Sequence, residues 1–580
     1  MSYFGSSAAV QLNLATNANH GGLAEGDVFQ DHIEIVHGSQ FADTILGSAG
    51  AETLRGFGGN DVLRGQSGND MLEGGDGNDQ LDGGAGADRF LGDAGIDLVT
   101  YFSSSAAVQL NLMTNVNHGG LAEGDTFQDV IETVHGSQFG DTIIGAAGTE
   151  TLRGFGGNDV LRGQAGASLE GGNGDDLLYA SAGADRFLGG DGFDTLSYAD
   201  SSAGVTVNLL LGTGSGGAAA GDRYLDGFDA VIGSGFNDTL IGGAAAESFT
   251  GGAGIDTVSY SGSAAAVTVD MVTRLGTGGT AEGDRYLDVF ESITGTGFND
   301  TLIGGDGAGV ISGNNGDDLL MGGAGADRFR GGDGFDTISY ADSTVGVSIN
   351  LTTNVNTGGT AEGDLFLDTV EKVIGSAFND TLIGKFGPDN LFGGDGDDLL
   401  VGNSRNNTLD GGNGADILRG GDWADVLIGG AGDDRLEGHS RENTLDGGLG
   451  ADTLVGGVTY DYDDFEGVEF VNRGNTLTGG AGADRFVSEG VSTRYDYGAD
   501  RITDFSHVEG DKIDLSEIAS SISFIGTADF TGMAGQLRYE YVASGNYTAL
   551  SLDRDGDGVG DFVGFTLAGN VTLTADDFIL

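Results

Sequence analysis

From Gly56 to Thr100 the chain reads GFGGNDVLR, GQSGNDMLE, GGDGNDQLD, GGAGADRFL, GDAGIDLVT, five nonapeptides with no residue between them. Each opens on glycine, carries glycine again at the fourth place, aspartate at the sixth and an apolar residue at the eighth. A strand of two or three residues can present that single apolar side chain inward. The rest of the unit must then turn sharply, which glycine permits by accepting positive φ. Two units make a coil of 18 residues with two strands and two turns, so residues 18 apart stack in register. Asp61 and Asp79, or Asp70 and Asp88, would then stand one strand spacing apart, ~4.8 Å. Carboxylates that close repel unless a cation sits between them. Calcium suits such a place because it accepts carboxylate and main-chain oxygens in flexible geometry, whereas magnesium demands a strict octahedron and keeps its waters. Zinc and copper want His or Cys, which the arrays barely supply.

Composition agrees with a repeat protein. Glycine supplies 114 of 580 residues, proline one and cysteine none. Collagen is excluded because glycine does not fall at every third position and proline is nearly absent. Simple disorder is opposed by the 38% of hydrophobic residues at regular spacing. The net charge of -65, from 89 acidic and 24 basic side chains, works against any compact state and calls for bound multivalent cations. It also excludes a nucleic-acid partner, which needs clustered Lys and Arg. Without cysteine no disulfide holds the fold. No apolar run has the length of a transmembrane segment. MSYFGSSAAV shows neither a basic n-region nor a long apolar h-region, so export would need an address other than a Sec signal.

A second motif, 35 residues long and opening on Tyr, occurs five times, at Tyr3–His37, Tyr101–His135, Tyr198–Ile232, Tyr260–Thr294 and Tyr340–Ile374. Each contains an alternating run such as AVQLNL or GVTVNL, a glycine-rich turn and a second apolar run. Alternation with Val and Leu predicts strands, and glycines such as those of GGTAEGD oppose a helix. After each of these long segments the nonapeptides resume, from Gly38, Gly136, Gly233, Gly295 and Gly375, with a lone unit at Gly479–Val487. Register slips only at GQAGASLE, Gly163–Glu170, which is one residue short. Residues 3–64 and 101–162 are nearly the same text, an internal duplication. The long segments are expected to replace or enlarge single coils of one solenoid.

Units such as GGDGNDQLD and GGAGADRFL, most of them in tandem, resemble the RTX, or hemolysin-type, calcium-binding repeat family. The resemblance covers Gly38 to Val487 and implies an all-β fold, a parallel β-roll (β-solenoid) with several calcium ions between successive turns. The sixth-place ligands it implies are Asp61, Asp70, Asp79, Asp88, Asp97, Asp159, Asp176, Asp185, Asp194, Asp256, Asp318, Asp327, Asp336, Asp398, Asp416, Asp425, Asp434, Asp452 and Asp484, with glycine carbonyls completing the shell. Some units depart from the pattern. Glu52, Glu150 and Glu247, Asn407 and Asn443, and Gly309 occupy the sixth place elsewhere. Units opening GSQF or GSGF keep an aspartate, as Asp238, Asp300 and Asp380 in this group, but lack the fourth glycine, and weak or empty sites are expected beside them. The acidic loop AEGDRYLD of the long segments, with Glu282, Asp284 and Asp288, is either a further calcium site or a solvated turn.

From Gly456 the spacing breaks into the insertion VTYDYDDFEGVEF, and from Ala499 the composition becomes ordinary. GDKIDLS, DRDGDGVGDF and the terminal DFIL resemble the C-terminal β cap that follows RTX repeats in serralysin-type proteins. In that family this region carries the signal for the type I secretion apparatus, which implies an extracellular or cell-surface location. Asp553, Asp555, Asp557 and Asp561 alternate with glycines as part of an EF-hand loop does, a candidate for one separate calcium. The expected domains are residues 1–455, a solenoid with inserted segments; 456–497, an irregular insertion and the last nonapeptide; and 498–580, the cap and secretion region.

There is no HExxH for a zinc protease and no GxSxG for an acyl-transfer nucleophile, so no catalytic residue is assigned and no enzyme is expected. The duplicated pairs His20/His118 and His37/His135 are expected on surface loops. The leading expectation is a secreted structural protein that folds on calcium and self-associates into a surface layer or head-to-tail filament. The alternative is the repeat and secretion region of a larger enzyme or adhesin; a carbohydrate- or ice-binding face ranks below both because the seventh place varies too much to form a ladder of one residue type.

Overall fold

The computed structural model describes residues 1–147, 151–439, 442–457, 474–488, 499–519, 521–561 and 564–580. Glu150 and the insertion VTYDYDDFEGVEF lie outside them. Two compact units divide the chain, Met1–Thr294 and Gly295–Leu580. Among the described residues every regular element is a β-strand except six 3-10 turns of three residues each.

In the first unit the strands stack in parallel with the offset of one coil. Thr53–Gly58 pairs with Met71–Asp76 and that with Arg89–Ala94. Thr44–Leu46, Val62–Arg64, Gln80–Asp82 and Leu98–Thr100 form the facing ladder. The eighth-place side chains Leu54, Leu72 and Phe90 on one side and Ile45, Leu63, Leu81 and Val99 on the other are all fully buried. Each such side chain contributes about 1.5–3 kcal/mol. One apolar residue per turn is therefore the whole core of a unit, and it becomes a core only by stacking. Outside, fifth-place side chains tie coil to coil, as where the Asn78 N–H donates to Asn60 Oδ1 at 3.0 Å.

The long segments exchange ladders. In Tyr101–His135, Thr126–Phe127 pairs with Arg89–Phe90 and ends that ladder. Thr133–His135 pairs with Leu98–Thr100 before it and Thr151–Arg153 after it, carrying the other ladder through. Gln109–Asn111 pairs with Thr142–Ile144 and starts a new ladder. Tyr101–His135 is thus an enlarged coil in which one stack stops while another begins. The turn between its strands holds a 3-10 turn, Gly120–Ala122, that the sequence reading did not place. Gly120 has φ +48°, and a Cβ there would lie 2.7 Å from the Ala106 carbonyl oxygen, so the close approach needs glycine. The short unit is absorbed in a turn: Ser168–Asn173 still pairs in parallel with both Thr151–Gly156 and Arg186–Asp191.

In the second unit the two ladders run without interruption from Asn390 and Thr381 onward. The nonapeptide Gly479–Val487 stands alone in the sequence but not in space. Thr476–Ala481 pairs with Thr444–Leu449 and Arg485–Val487 with Thr453–Val455. The C-terminal region adds the last rungs. Lys512–Asp514 follows Arg485–Val487, Phe578–Ile579 follows Ile513–Asp514, and Phe565–Ala568 follows Asp500–Ile502. An antiparallel hairpin, Gln536–Val542 with Tyr547–Asp553, lies beside Phe565–Ala568.

Candidate metal centres

The sixth-place aspartates form hydrogen-bonded columns. The Asp61 N–H donates to Asp79 Oδ1 at 2.7 Å, and the Asp79 N–H donates to Asp97 Oδ1 at 2.8 Å. Asp70 and Asp88 repeat the bond at 2.8 Å on the other side. The same link joins Asp159 to Asp176 and Asp176 to Asp194, Asp318 to Asp336, and Asp398, Asp416, Asp434, Asp452 and Asp484 in succession. Asp185, Asp256, Asp327 and Asp425 receive it from Ala167, Asp238, Gly309 and Asn407. All of these side chains are buried.

One oxygen of each carboxylate is thereby used; the second is the informative one. Oδ2 of Asp61, Asp70, Asp79, Asp88, Asp97, Asp159, Asp176, Asp318, Asp327, Asp336, Asp398, Asp416, Asp425, Asp434, Asp452 and Asp484 is buried with no protein partner. An unpaired buried carboxylate oxygen is costly. Burial pushes Asp61 and Asp159 up to about 8 and Asp70, Asp97 and Asp398 to about 7, against the backbone N–H bonds that lower them. Repulsion by neighbouring carboxylates adds to the rise, as Asp79 does at Asp61.

What converges on the open oxygen is more oxygen. At Gly65 a Cβ would clash with Asp70 Oδ2 and come 2.5 Å from the Gly83 carbonyl oxygen of the next turn; Gly429 stands likewise against Asp434 Oδ2 and the Gly447 carbonyl. First-place glycine therefore leaves a cradle between a carboxylate and a main-chain carbonyl. Such an all-oxygen donor set, with no sulfur or imidazole, fits calcium.

The second residue of each nonapeptide decides whether this oxygen stays open, a signal the sequence reading missed. Before the open carboxylates it lies in the left-handed region, as Phe57 (φ 81°), Gln66 (79°), Gly75 (109°), Gly84 (87°) and Gly394 (118°). Where it does not, its own N–H turns onto the carboxylate. Ser39, Ser137, Ser234, Thr296 and Ser376 donate backbone N–H to Oδ2 of Asp43, Asp141, Asp238, Asp300 and Asp380. Their hydroxyls donate to Oδ1 of the same residues at 2.8–3.0 Å. These five units lack the fourth glycine, and their carboxylates are satisfied by protein. Ser181 donates both its N–H and its hydroxyl to Asp185 Oδ2, and the Gly243 N–H reaches Glu247. Asn407 fills its own place by donating Nδ2–H to the Arg405 carbonyl at 2.8 Å.

In the acidic loop of the long segments Glu282 is exposed, whereas Asp284 is buried and paired within the protein. Its three acids serve separate tasks: Glu282 accepts the Gly278 N–H, Asp288 accepts the Gly251 and Gly252 N–H groups, and Asp284 accepts the Glu247 N–H and the Tyr260 hydroxyl. In the C-terminal region, carboxylate oxygens of Asp553, Asp555 and Asp561 lie within 4.8 Å of one another, and Asp557 is not among them. Asp553 already accepts the Gly556 and Gly558 N–H groups at 2.7 and 3.1 Å. His20 and His118 are exposed, but His37 and His135 end strands rather than sit on loops, edge-on to Phe57 and Phe155 at 5.3 and 5.0 Å. No helix among the described residues is long and apolar enough to cross a membrane.

Comparison with known families agrees with this geometry. Residues 37–72, 64–99, 135–169, 168–196, 225–258, 290–308 and 303–338 match the RTX calcium-binding nonapeptide repeat, and residues 331–580 match the Peptidase M10 serralysin C terminal family. A search of curated proteins returned no match. The long segments at 101–135, 198–232 and 260–294 fall mostly between the repeat matches. Buried aspartate columns, an all-oxygen cradle and these two matches identify the chain as an extracellular, type I secreted RTX protein, a β-roll of nonapeptide repeats that bind multiple calcium ions, joined to a serralysin C-terminal domain.

Proposed function

We propose that this chain is a non-catalytic structural protein that folds on calcium outside the cell and assembles with copies of itself into a surface layer or filament. The ladder aspartates with an open Oδ2 would hold the ions together with the glycine carbonyls that face them. Where calcium is scarce the columns repel and the coils cannot stack; where it is abundant, binding to the folded state alone stabilises that state.

The observation that favours assembly is a set of exposed groups on the coil face of Tyr3–His37. In Tyr101–His135, the preceding coil donates the Gly92 and Asp93 N–H groups to Asp129 at 3.0 and 2.8 Å and the Asp97 N–H to Glu132 at 2.9 Å. The counterparts Asp31 and Glu34 in Tyr3–His37 are exposed, and Val28, 68% exposed, lies outside any strand, where Thr126–Phe127 is paired. This edge displays acceptors shaped for the N–H row of another RTX coil. A coil from a second copy would make a heterologous contact, which propagates unless it closes.

Electron microscopy in millimolar calcium, then in chelator, tests the assembly. Ordered chains or sheets that disperse on chelation are expected, and Asp31→Lys with Glu34→Lys should prevent them. Uniform monomers at high calcium would refute it and favour the second reading, the repeat and secretion region of a larger enzyme or adhesin whose own coil covers this edge.

A further inference from the structure

Calcium between coils needs a turn on each side, one to present the carboxylate and the next to present the carbonyl. At the end of a ladder the next turn is missing. The four long segments from Tyr101 onward each end one ladder and start another, so each creates two such termini inside the roll.

At the ending side, Asp125 takes the Asp88 N–H on Oδ1 at 2.7 Å, as any ladder member would. Its Oδ2, the oxygen left open in the calcium columns, accepts the hydroxyl of buried Tyr101 at 2.9 Å. The arrangement recurs at Asp222 with Tyr198 (2.7 Å), Asp284 with Tyr260 (2.6 Å) and Asp364 with Tyr340 (3.0 Å). At the starting side, the strand before Asp141 belongs to the long segment and places Val108, not an aspartate, beside it. Oδ1 accepts the Val108 N–H at 2.7 Å and the Ser137 hydroxyl at 2.8 Å, and Oδ2 accepts the Ser137 N–H. Asp380, with Val347 and Ser376, repeats this. A hydroxyl proton aimed at the carboxylate occupies the lone pair and puts positive charge where a cation would stand.

We propose that the long segments are calcium-free joints, in which a tyrosine hydroxyl closes the ladder that ends and a serine or threonine hydroxyl closes the ladder that starts, so that the calcium array fills as separate blocks. This rests on the calcium-folding reading above and goes beyond it by saying which ladder carboxylates take no ion. Glycine at the second place can enter the left-handed region and turn its N–H away; serine there is held at ordinary φ, with N–H and hydroxyl both inward.

The test counts calcium retained by the full-length chain, by native mass spectrometry and elemental analysis. Asp79→Asn and Asp416→Asn are expected to lower the count. Asp125→Asn and Asp380→Asn are expected to leave it unchanged; losses equal to that of Asp79→Asn would overturn the proposal. Should those variants misfold, Ser376→Gly combined with Phe378→Gly restores the open motif and is expected to gain one ion, and an unchanged count in a normally folded chain would overturn it. Block filling is read by hydrogen exchange during calcium titration. Asp79→Asn should raise the midpoint for residues 56–97 at least threefold and leave residues 159–194 unmoved, whereas a common shift refutes the division into blocks. A wild-type chain that retains no calcium would instead overturn the function proposed above.

Discussion

Acidifying the chain in chelator separates the two ways in which its ladders can be neutralised, by calcium or by protons. In the absence of metal, burial pushes Asp61 to about 8, Asp70 and Asp97 to about 7, and Asp79 and Asp88 to about 6. In an unfolded chain each would titrate near 3.9. The folded pKa lies above the unfolded one, so the folded state binds more protons throughout this window. Stability without calcium is therefore greatest below about pH 4 and is lost as pH rises through about 6 to 8. At pH 5.5 these five carboxylates would be mostly protonated when folded and almost fully ionised when unfolded, an uptake of about four protons on folding from this stretch alone.

Circular dichroism in chelator should thus show little β structure at pH 7.5 and a cooperative gain on lowering the pH to 5.5. Adding calcium to the acid-folded chain should release about four protons per five filled carboxylates, read by calorimetry in buffers of different ionisation enthalpy. General charge repulsion predicts a different control. With a Debye length of about 3 Å, 1 M salt screens the surface, yet it should not fold the chelated chain at pH 7.5, because the ladder carboxylates are buried beyond its reach. Full β structure in chelator at pH 7.5, or folding induced there by salt alone, would refute the reasoning.

Three further outcomes follow from the packing. Leu63→Ala removes a fully buried side chain from a core one residue wide and should cost about 2–5 kcal/mol, measured by urea unfolding in saturating calcium; a cost under about 1 kcal/mol would mean that the coils close up around the gap. Gly65→Ala places a Cβ against Asp70 Oδ2 and the Gly83 carbonyl oxygen, so it should reduce bound calcium while Gly227→Ala, where no atom lies near the new Cβ, should not. Tyr198→Phe removes the hydroxyl shared by Asp222 and Tyr224, at 2.7 and 2.8 Å. It should cost about 1–3 kcal/mol and accelerate hydrogen exchange within residues 198–232, and exchange unchanged there would count against a structural role for the hydroxyl.

The coil was legible in the sequence because its information is local. Apolar residues at the eighth place and aspartates at the sixth recur every nine residues, and stacking them at two units per turn yields the pairing of Leu54 with Leu72 and of Asp61 with Asp79. The exchange of ladders was not legible, since it depends on pairings that no period announces: Arg89 with Thr126, Leu98 with Thr133 and Gln109 with Thr142. The second place escaped notice for another reason. Phe57, Gln66 and Phe155 adopt the left-handed conformation that sequence reasoning reserves for glycine, held there by the coils on either side, so residue type alone does not sort the open turns from the closed ones. Serine at that place does carry a signal, in that its hydroxyl can satisfy the aspartate four residues on.

The joints bear on export. A chain passing unfolded through a type I apparatus must not fold before it leaves, and open ladder carboxylates without calcium meet that need at neutral pH. Segments that require no calcium look like an exception, since their carboxylates are satisfied by tyrosine, serine and backbone N–H groups. Tyr101–His135 is not one, because its pairings reach beyond it. Thr126–Phe127 needs Arg89–Phe90, Asp129 needs the N–H groups of Gly92 and Asp93, and Gln109–Asn111 needs Thr142–Ile144. The first two partners belong to a coil whose own Asp88 and Asp97 have open oxygens. On the proposed reading, a calcium-free joint such as Tyr101–His135 cannot form before the calcium-dependent coil beside it does.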